Sequence, residues 1–388
     1  MDFGFTEEQL AIRDAIEKIC AQFEPGYWLE RDRDGKFPEE FVAAIVEGGW
    51  LGIAMPEEVG GSGLGITETA LLAHTIARSG AGFSGASAVH LNLFGPQPIV
   101  VFGTDEQKAR FLPPLIKGQD RACFGVTEPD AGLNTTRLQT MAVRDGDNYV
   151  INGRKMWTST AQTANKILLI ARTTPLEAGV KPTESLTLFY TDLNRDQVEV
   201  RDIEKMGRKA VDSNALFIDD LVVPASDRIG EEGEGWKCLL HGLNPERILI
   251  AAESVGLGQA ALERAAQYAR ERVVFDRPIG QNQAIQHPLA VNWMELEAAY
   301  NMVFKAASLY DNDQPCGREA NAAKYLAAEA GLSACQQAVR THGGMGYSKE
   351  FHVERYLREM MIPVIAPVSQ EMIKSFIAEQ VLEQPKSY

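Results

Sequence analysis

One carboxylate stands at the edge of an apolar run. In Leu243-Asn244-Pro245-Glu246-Arg247-Ile248 the glutamate precedes the apolar run Ile248 to Ala252. A carboxyl drawn out of water resists ionisation and can take a proton near neutral pH. A C–H bond is a very weak acid, so a reaction that breaks one needs such a base. On residue type alone an exposed helix charge beside Arg247 is the commoner outcome, and both readings stand. Two further groups could hold a ligand. Trp157, with Ser159 two residues on, offers a large rigid aromatic face beside a hydroxyl. Arg272 offers a permanently charged planar fork of the kind that grips a pyrophosphate, although a solvated helix arginine is the ordinary alternative.

The elements around these residues form three blocks. Residues 1–118 carry helical periodicity broken at glycine clusters such as Gly60-Gly61-Ser62-Gly63. Thr6 and Gln9 have the spacing of a capping box ahead of Leu10, Ile12 and Ile16, so a helix starts there. Residues 119–228 read as a β domain, with short apolar or alternating runs at Tyr149 to Ile151, Ile167 to Ile170, Leu186 to Tyr190 and Leu221 to Pro224. Asn152-Gly153 is expected to be a tight hairpin turn between two such runs. Residues 229–388 are helical again, and the Ala-rich stretches 251–272 and 318–340 have the all-round apolar character of buried bundle helices. The fold class is therefore multidomain α+β: an N-terminal helical domain, a central β domain of sandwich or barrel type, and a C-terminal four-helix bundle.

Composition excludes several functions. The 388 residues carry a formal charge of −15, against the clustered basic surface that nucleic acid requires. Five scattered cysteines without a CxxC pair predict neither a disulfide framework nor a zinc site, which fits a reducing compartment. No apolar run reaches membrane-spanning length, and no leader precedes the first helix, so a cytoplasmic protein is expected. His241 and His342 lie beside glycines without ligand spacing and should be packed rather than metal-bound. Gly256-Leu257-Gly258-Gln259-Ala260-Ala261 spells a dinucleotide fingerprint, but it lacks a preceding strand and sits in a helical stretch, where small residues allow close packing.

A set of ordered segments goes further. Phe124-Gly125-Val126-Thr127-Glu128-Pro129-Asp130-Ala131-Gly132, then Asn152 to Ser159, Met206-Gly207, Val222-Val223-Pro224, Gly233 to Trp236, Arg272 to Phe275, Gln283 and His342 to Tyr347 follow one another along the chain. In order and spacing they resemble the acyl-CoA dehydrogenase family, whose members are FAD flavoproteins, usually homotetrameric. The resemblance implies noncovalent FAD, an acyl-CoA substrate and an electron-transferring flavoprotein as acceptor. Carried over residue by residue, Trp157 lies against the flavin and Thr127 and Ser159 bond its polar edge, with Phe124, Val126, Gly132 and Leu133 around them. Arg272, Phe275 and Gln283 resemble residues that reach the cofactor of a neighbouring subunit, Ile285 joins the cofactor set, and Gly343 and Gly344 would let backbone approach the cofactor closely. Arg340 stands where members commonly have Gln. Ser369 and Glu371 complete the cofactor set.

The same resemblance relocates the base. Many members carry it as a late Glu, but the aligned stretch here is Ile365-Ala366-Pro367-Val368-Ser369 and the position is Pro367. Isovaleryl- and long-chain-type members instead place it one residue before an Arg on the first long bundle helix, which here is Glu246. Leu243, Asn244, Arg247, Ala366 and Pro367 would then line the substrate. Asn244-Pro245 could start a helix or, as the family implies, stand inside one and kink it. Pro367 also lacks the N–H that helps polarise the thioester oxygen in the family, and Leu133 replaces a Ser that contacts CoA. Three outcomes follow: dehydrogenation through Glu246, an oxidase or elimination reaction on the same scaffold, or a noncatalytic binding protein.

Overall fold

The chain is described here by a computed structural model covering residues 4–176 and 179–387. Its first helix, Glu7–Cys20, begins at the expected capping box: Thr6 Oγ1 accepts from the Gln9 N–H, and the Gln9 side chain accepts from the Thr6 N–H at 3.0 Å. Ile12, Ile16 and Cys20 fall on one face and are buried. Two later helices of this N-terminal block, Ile66–Ile76 and Gly82–Phe94, are buried on nearly every side. Both ends of Gly82–Phe94 are pinned. Ser84 donates through Oγ and N–H to Glu359, at 2.7 and 3.2 Å, and Asn92 Oδ1 accepts from the Ala122 N–H at 3.3 Å.

The central block is one sheet. β1 (Ala122–Gly125), β2 (Met141–Asp145), β3 (Asn148–Ser159), β4 (Lys166–Arg172), β5 (Leu186–Asp192), β6 (Val198–Asp202), β7 (Ser213–Pro224) and β8 (Arg228–Ile229) lie in the order β6-β7-β3-β2-β4-β5-β8, with β1 parallel to β4. The expected hairpin at Asn152-Gly153 is not there. β3 runs straight through those residues, and the tight turn is at Gly146-Asp147, between paired Asp145 and Asn148. Asn152-Gly153 marks a register shift against β7 instead. A Cβ on Gly153 would meet Thr140 Oγ1 at 2.4 Å and Thr140 Cα at 2.7 Å, so this glycine serves close strand approach, not a turn.

The C-terminal block is built on the helix Gly235–Glu271, packed against Gln283–Asp311 and Gly317–His342. Pro245 lies inside this first helix, so it does not start one; it removes the N–H that would bond the His241 carbonyl. Gly256 and Gly258 are buried in the same helix, as the missing strand predicted. A Cβ on Gly256 would meet the His74 carbonyl at 2.4 Å, and one on Gly258 the Gly331 Cα at 2.9 Å. Two helix backbones therefore touch where the fingerprint-like letters stand. All five cysteines are buried and free. No helix among the described residues is long and apolar enough to cross a membrane.

Candidate active site

Glu246 sits in the fourth turn of Gly235–Glu271 and is half-buried. Among the described residues its carboxylate makes no hydrogen bond and no ion pair. Burial raises its pKa above the usual carboxylate value, and Glu253 adds to this, while His90, Arg247 and Lys324 pull it back. The net direction is up, as a general base for a carbon acid requires.

The three cations that oppose the shift come from different elements. His90, on Gly82–Phe94, directs Nδ1 at Glu253 Oε1 at 2.6 Å, and both are buried. Burial disfavours the imidazolium, but Glu253 and then Glu246 outweigh it, so the His90 pKa is raised. Arg247 donates to Asn244 Oδ1 at 3.0 Å, which straps the turn that carries the glutamate. Lys324 is buried on Gly317–His342 and donates to the Val368 carbonyl at 2.6 Å. Burial and Arg247 pull its pKa down to about 8. Lys324 thus holds the loop Ala366–Ser369 by a hydrogen bond, while its charge bears on Glu246. Ser369 ends that loop as the N-cap of Gln370–Phe376, its Oγ accepting from the Met372 N–H. Glu371 is exposed.

A chain of rings runs from His90 to β1: His90 to Phe94 at 4.8 Å and Phe94 to Phe124 at 5.7 Å. Phe124 is in β1, and Val126 and Thr127 follow it. The Met156 N–H donates to the Thr127 carbonyl at 2.8 Å, which sets Thr127 beside Trp157. β3 is bulged here, and Trp157 has φ +61°, a left-handed conformation rare for a bulky residue. The bulge turns its indole outward, leaving it 56% exposed. A buried pair fixes the segment from below: Lys155 Nζ donates to Glu128 at 2.9 Å and to the Val126 carbonyl at 3.1 Å. Glu128 also accepts from the Gln139 and Thr140 N–H groups. Gly132 and Leu133 lie beyond, both exposed.

The remaining expected residues form a second group at the other end of the bundle. Arg272 follows Glu271, the last residue of the helix that carries Glu246, so about 26 residues, or roughly 39 Å of helix, separate the two. Phe275, at the turn of the hairpin Val273–Val274 and Arg277–Pro278, has φ +52° and is 93% exposed. Gln283 and Ile285 begin the next helix. Arg340, Gly343 and Gly344 are exposed at the end of Gly317–His342, where His342 stacks on Tyr268 at 4.3 Å. His241 packs against Phe102 and Tyr310. Among the described residues no cluster could hold a metal ion.

Several residues of the site carry no role in the sequence reading. Glu253 stands in an apolar run seven places after Glu246, hence on the same face, and a charge there needs a partner; that partner, His90, is distant in sequence. Lys155 alternates with inward-facing Ile151 in β3, the mark of a buried cation. Arg208 lies in a loop with Lys205 and Lys209 that reads as solvated, and no local signal sets it apart.

Residues 6–119, 123–221 and 233–382 match the acyl-CoA dehydrogenase N-terminal, middle and C-terminal domains. The chain is 37% identical to acyl-CoA dehydrogenase FadE12 of Mycobacterium tuberculosis, over 99% of this chain and 98% of that one. It is 33% identical to the caffeyl-CoA reductase-Etf complex subunit CarC of Acetobacterium woodii, over 92% and 93%. Among solved structures, a glutaryl-coenzyme A dehydrogenase in complex with glutaryl-CoA superposes with a TM-score of 0.94 at 30% identity, covering 100% of this chain and 98% of that one. The chain is an oxidoreductase that belongs to the acyl-CoA dehydrogenase family.

Proposed function

We propose that the protein removes the α-proton and β-hydride of an acyl-CoA thioester to give the 2-enoyl-CoA, with Glu246 as the base. The family is one of FAD flavoproteins, and the residues present fit that group. Trp157 exposes an indole face near Thr127 and Ser159 in the chain's local pairing, and an exposed Arg272 fork could meet a phosphate. Bound FAD supplies the hydride acceptor.

The observation that carries the reading is the unpartnered, desolvated Glu246 carboxylate, whose raised pKa is opposed by the charges of His90, Arg247 and Lys324. Pro367 offers neither a carboxylate nor an N–H, so the reading turns to Glu246 for the base. Leu243, Asn244, Arg247 and Ala366 flank the substrate in this reading.

The two groups of expected residues lie too far apart to meet one ligand within a chain. We infer a cofactor site completed by a second copy, with Phe275 and Arg272 of one chain reaching the Trp157 platform of another. Exposed Val291, Trp293 and Met294 on Gln283–Asp311 are apolar surface suited to that association, as a homotetramer. The name of the CarC relative supports an electron-transferring flavoprotein as acceptor. The test is bleaching of the bound flavin by acyl-CoA thioesters under anaerobic conditions, lost in Glu246→Gln while the flavin stays bound. Flavin that no thioester reduces would direct attention to an elimination reaction, and flavin that thioesters reduce but oxygen rapidly reoxidises would direct it to an oxidase.

A further inference from the structure

Arg208 is a guanidinium buried in the site with only hydroxyls around it. It lies in the turn between β6 and β7, at φ +53°, a conformation an arginine seldom adopts. Nη2 donates to Ser159 Oγ at 2.9 Å and to Ser213 Oγ at 3.2 Å, and Nη1 donates to Ser87 Oγ at 3.3 Å. Nε is buried and has no partner.

Among the described residues no carboxylate comes within ion-pair distance of it. The acids whose charge reaches it, Glu253, Glu359 and Asp212, are already engaged. Glu253 faces His90; Glu359 holds Ser84 and Arg355; Asp212 accepts from Gln162 and Asn214. A guanidinium keeps its proton at any working pH, and a buried cation without an anionic partner is unfavourable unless something else supplies the counter-charge.

The hydroxyl it grips most closely is that of Ser159, two residues after the platform Trp157. A serine oxygen that accepts from a cation still has its own O–H to give, and that O–H becomes a stronger donor. We propose that Arg208 is a positioning residue that aims the Ser159 hydroxyl at the flavin and places a permanent positive charge beside it, so that the negative charge acquired on reduction is stabilised. The proposal rests on the FAD reading above. The hydroxyl cage explains the arrangement: a carboxylate partner would cancel the field, whereas serines orient the fork and leave its charge uncompensated until an electron pair arrives.

The test is the midpoint potential of the FAD-loaded protein, measured by equilibration with reference dyes in an excess of FAD, for wild type, Arg208→Gln and Arg208→Lys. Loss of the charge in Arg208→Gln should shift the oxidised-to-reduced ratio at fixed ambient potential at least tenfold toward oxidised flavin, about 30 mV for a two-electron couple. Arg208→Lys, which keeps the charge, should recover most of that shift. Equal potentials in wild type and Arg208→Gln, with flavin bound in both, would overturn the proposal, as would a lysine variant no better than the glutamine one. A wild-type protein that takes up no FAD would instead overturn the cofactor reading on which it stands.

Discussion

His90 Nδ1 lies 2.6 Å from the carboxylate of Glu253, which is two helical turns beyond Glu246 on the same face of one helix. The pair is buried, and its imidazolium bears on Glu246 as well as on its own partner. The helix Gly235–Glu271 thus carries an engaged acid and a free one, with a single histidine between them.

His90→Gln should move the acid limb of the kcat/KM profile to higher pH. Glu246 works deprotonated, so activity is lost as pH falls through its raised pKa. Removing the imidazolium takes away a charge that favours the carboxylate, while Glu253 remains to oppose it. A pH–rate profile of the two proteins checks this; a limb at unchanged pH would show that His90 does not act on Glu246.

Lys155→Met should destabilise the protein by about 3–5 kcal/mol, because Glu128 is left as an uncompensated buried charge. It should also weaken FAD binding, since Lys155 holds the Val126 carbonyl. Lys155 beside Glu128 holds that carboxyl below its ordinary value of 4.5. Its contribution is therefore present above pH 4.5 and lost as pH falls through the depressed folded value. Thermal unfolding against pH should show this slope in wild type and a flatter one in Lys155→Met/Glu128→Gln.

Phe275→Ala should leave the fold of a single chain within about 0.5 kcal/mol, as expected for a side chain 93% exposed. It should nevertheless weaken association and FAD retention together if the ring reaches a neighbouring chain. Sedimentation and flavin content, read side by side, decide; a variant that associates and holds FAD like wild type would remove Phe275 from the cofactor site.

The order of helical, β and helical blocks was readable because each rests on a local signal. The Thr6–Gln9 capping box, the apolar run Ile167–Ile170 and the Ala-rich stretches all report on their own neighbourhoods. Asn152-Gly153 misled because the same letters serve a turn or a bulge, and the choice depends on Thr140, whose Cα would lie 2.7 Å from a Cβ on Gly153. Pro245 could be read as a start or an interior position, and the packing of the whole 37-residue helix decides it. The site divides in the same way. Glu246 and Trp157 are singled out by the ordered family segments in which they stand, Glu246 together with the vacancy at Pro367. His90, Lys324 and Arg208 gain their meaning from contacts across 44 to 163 positions of sequence, which no window contains.

The central claim is that Glu246 takes the α-proton. Its most direct test is an anaerobic titration of the FAD-loaded protein with straight-chain, branched and aromatic acyl-CoAs, followed by visible absorption, for wild type and Glu246→Gln. A positioned general base contributes about 10²–10⁴ in rate. The wild-type flavin should therefore bleach with at least one thioester, and the variant, still yellow, should bleach slower by about that factor. A variant that bleaches as fast as wild type would contradict the assignment of Glu246 as the base.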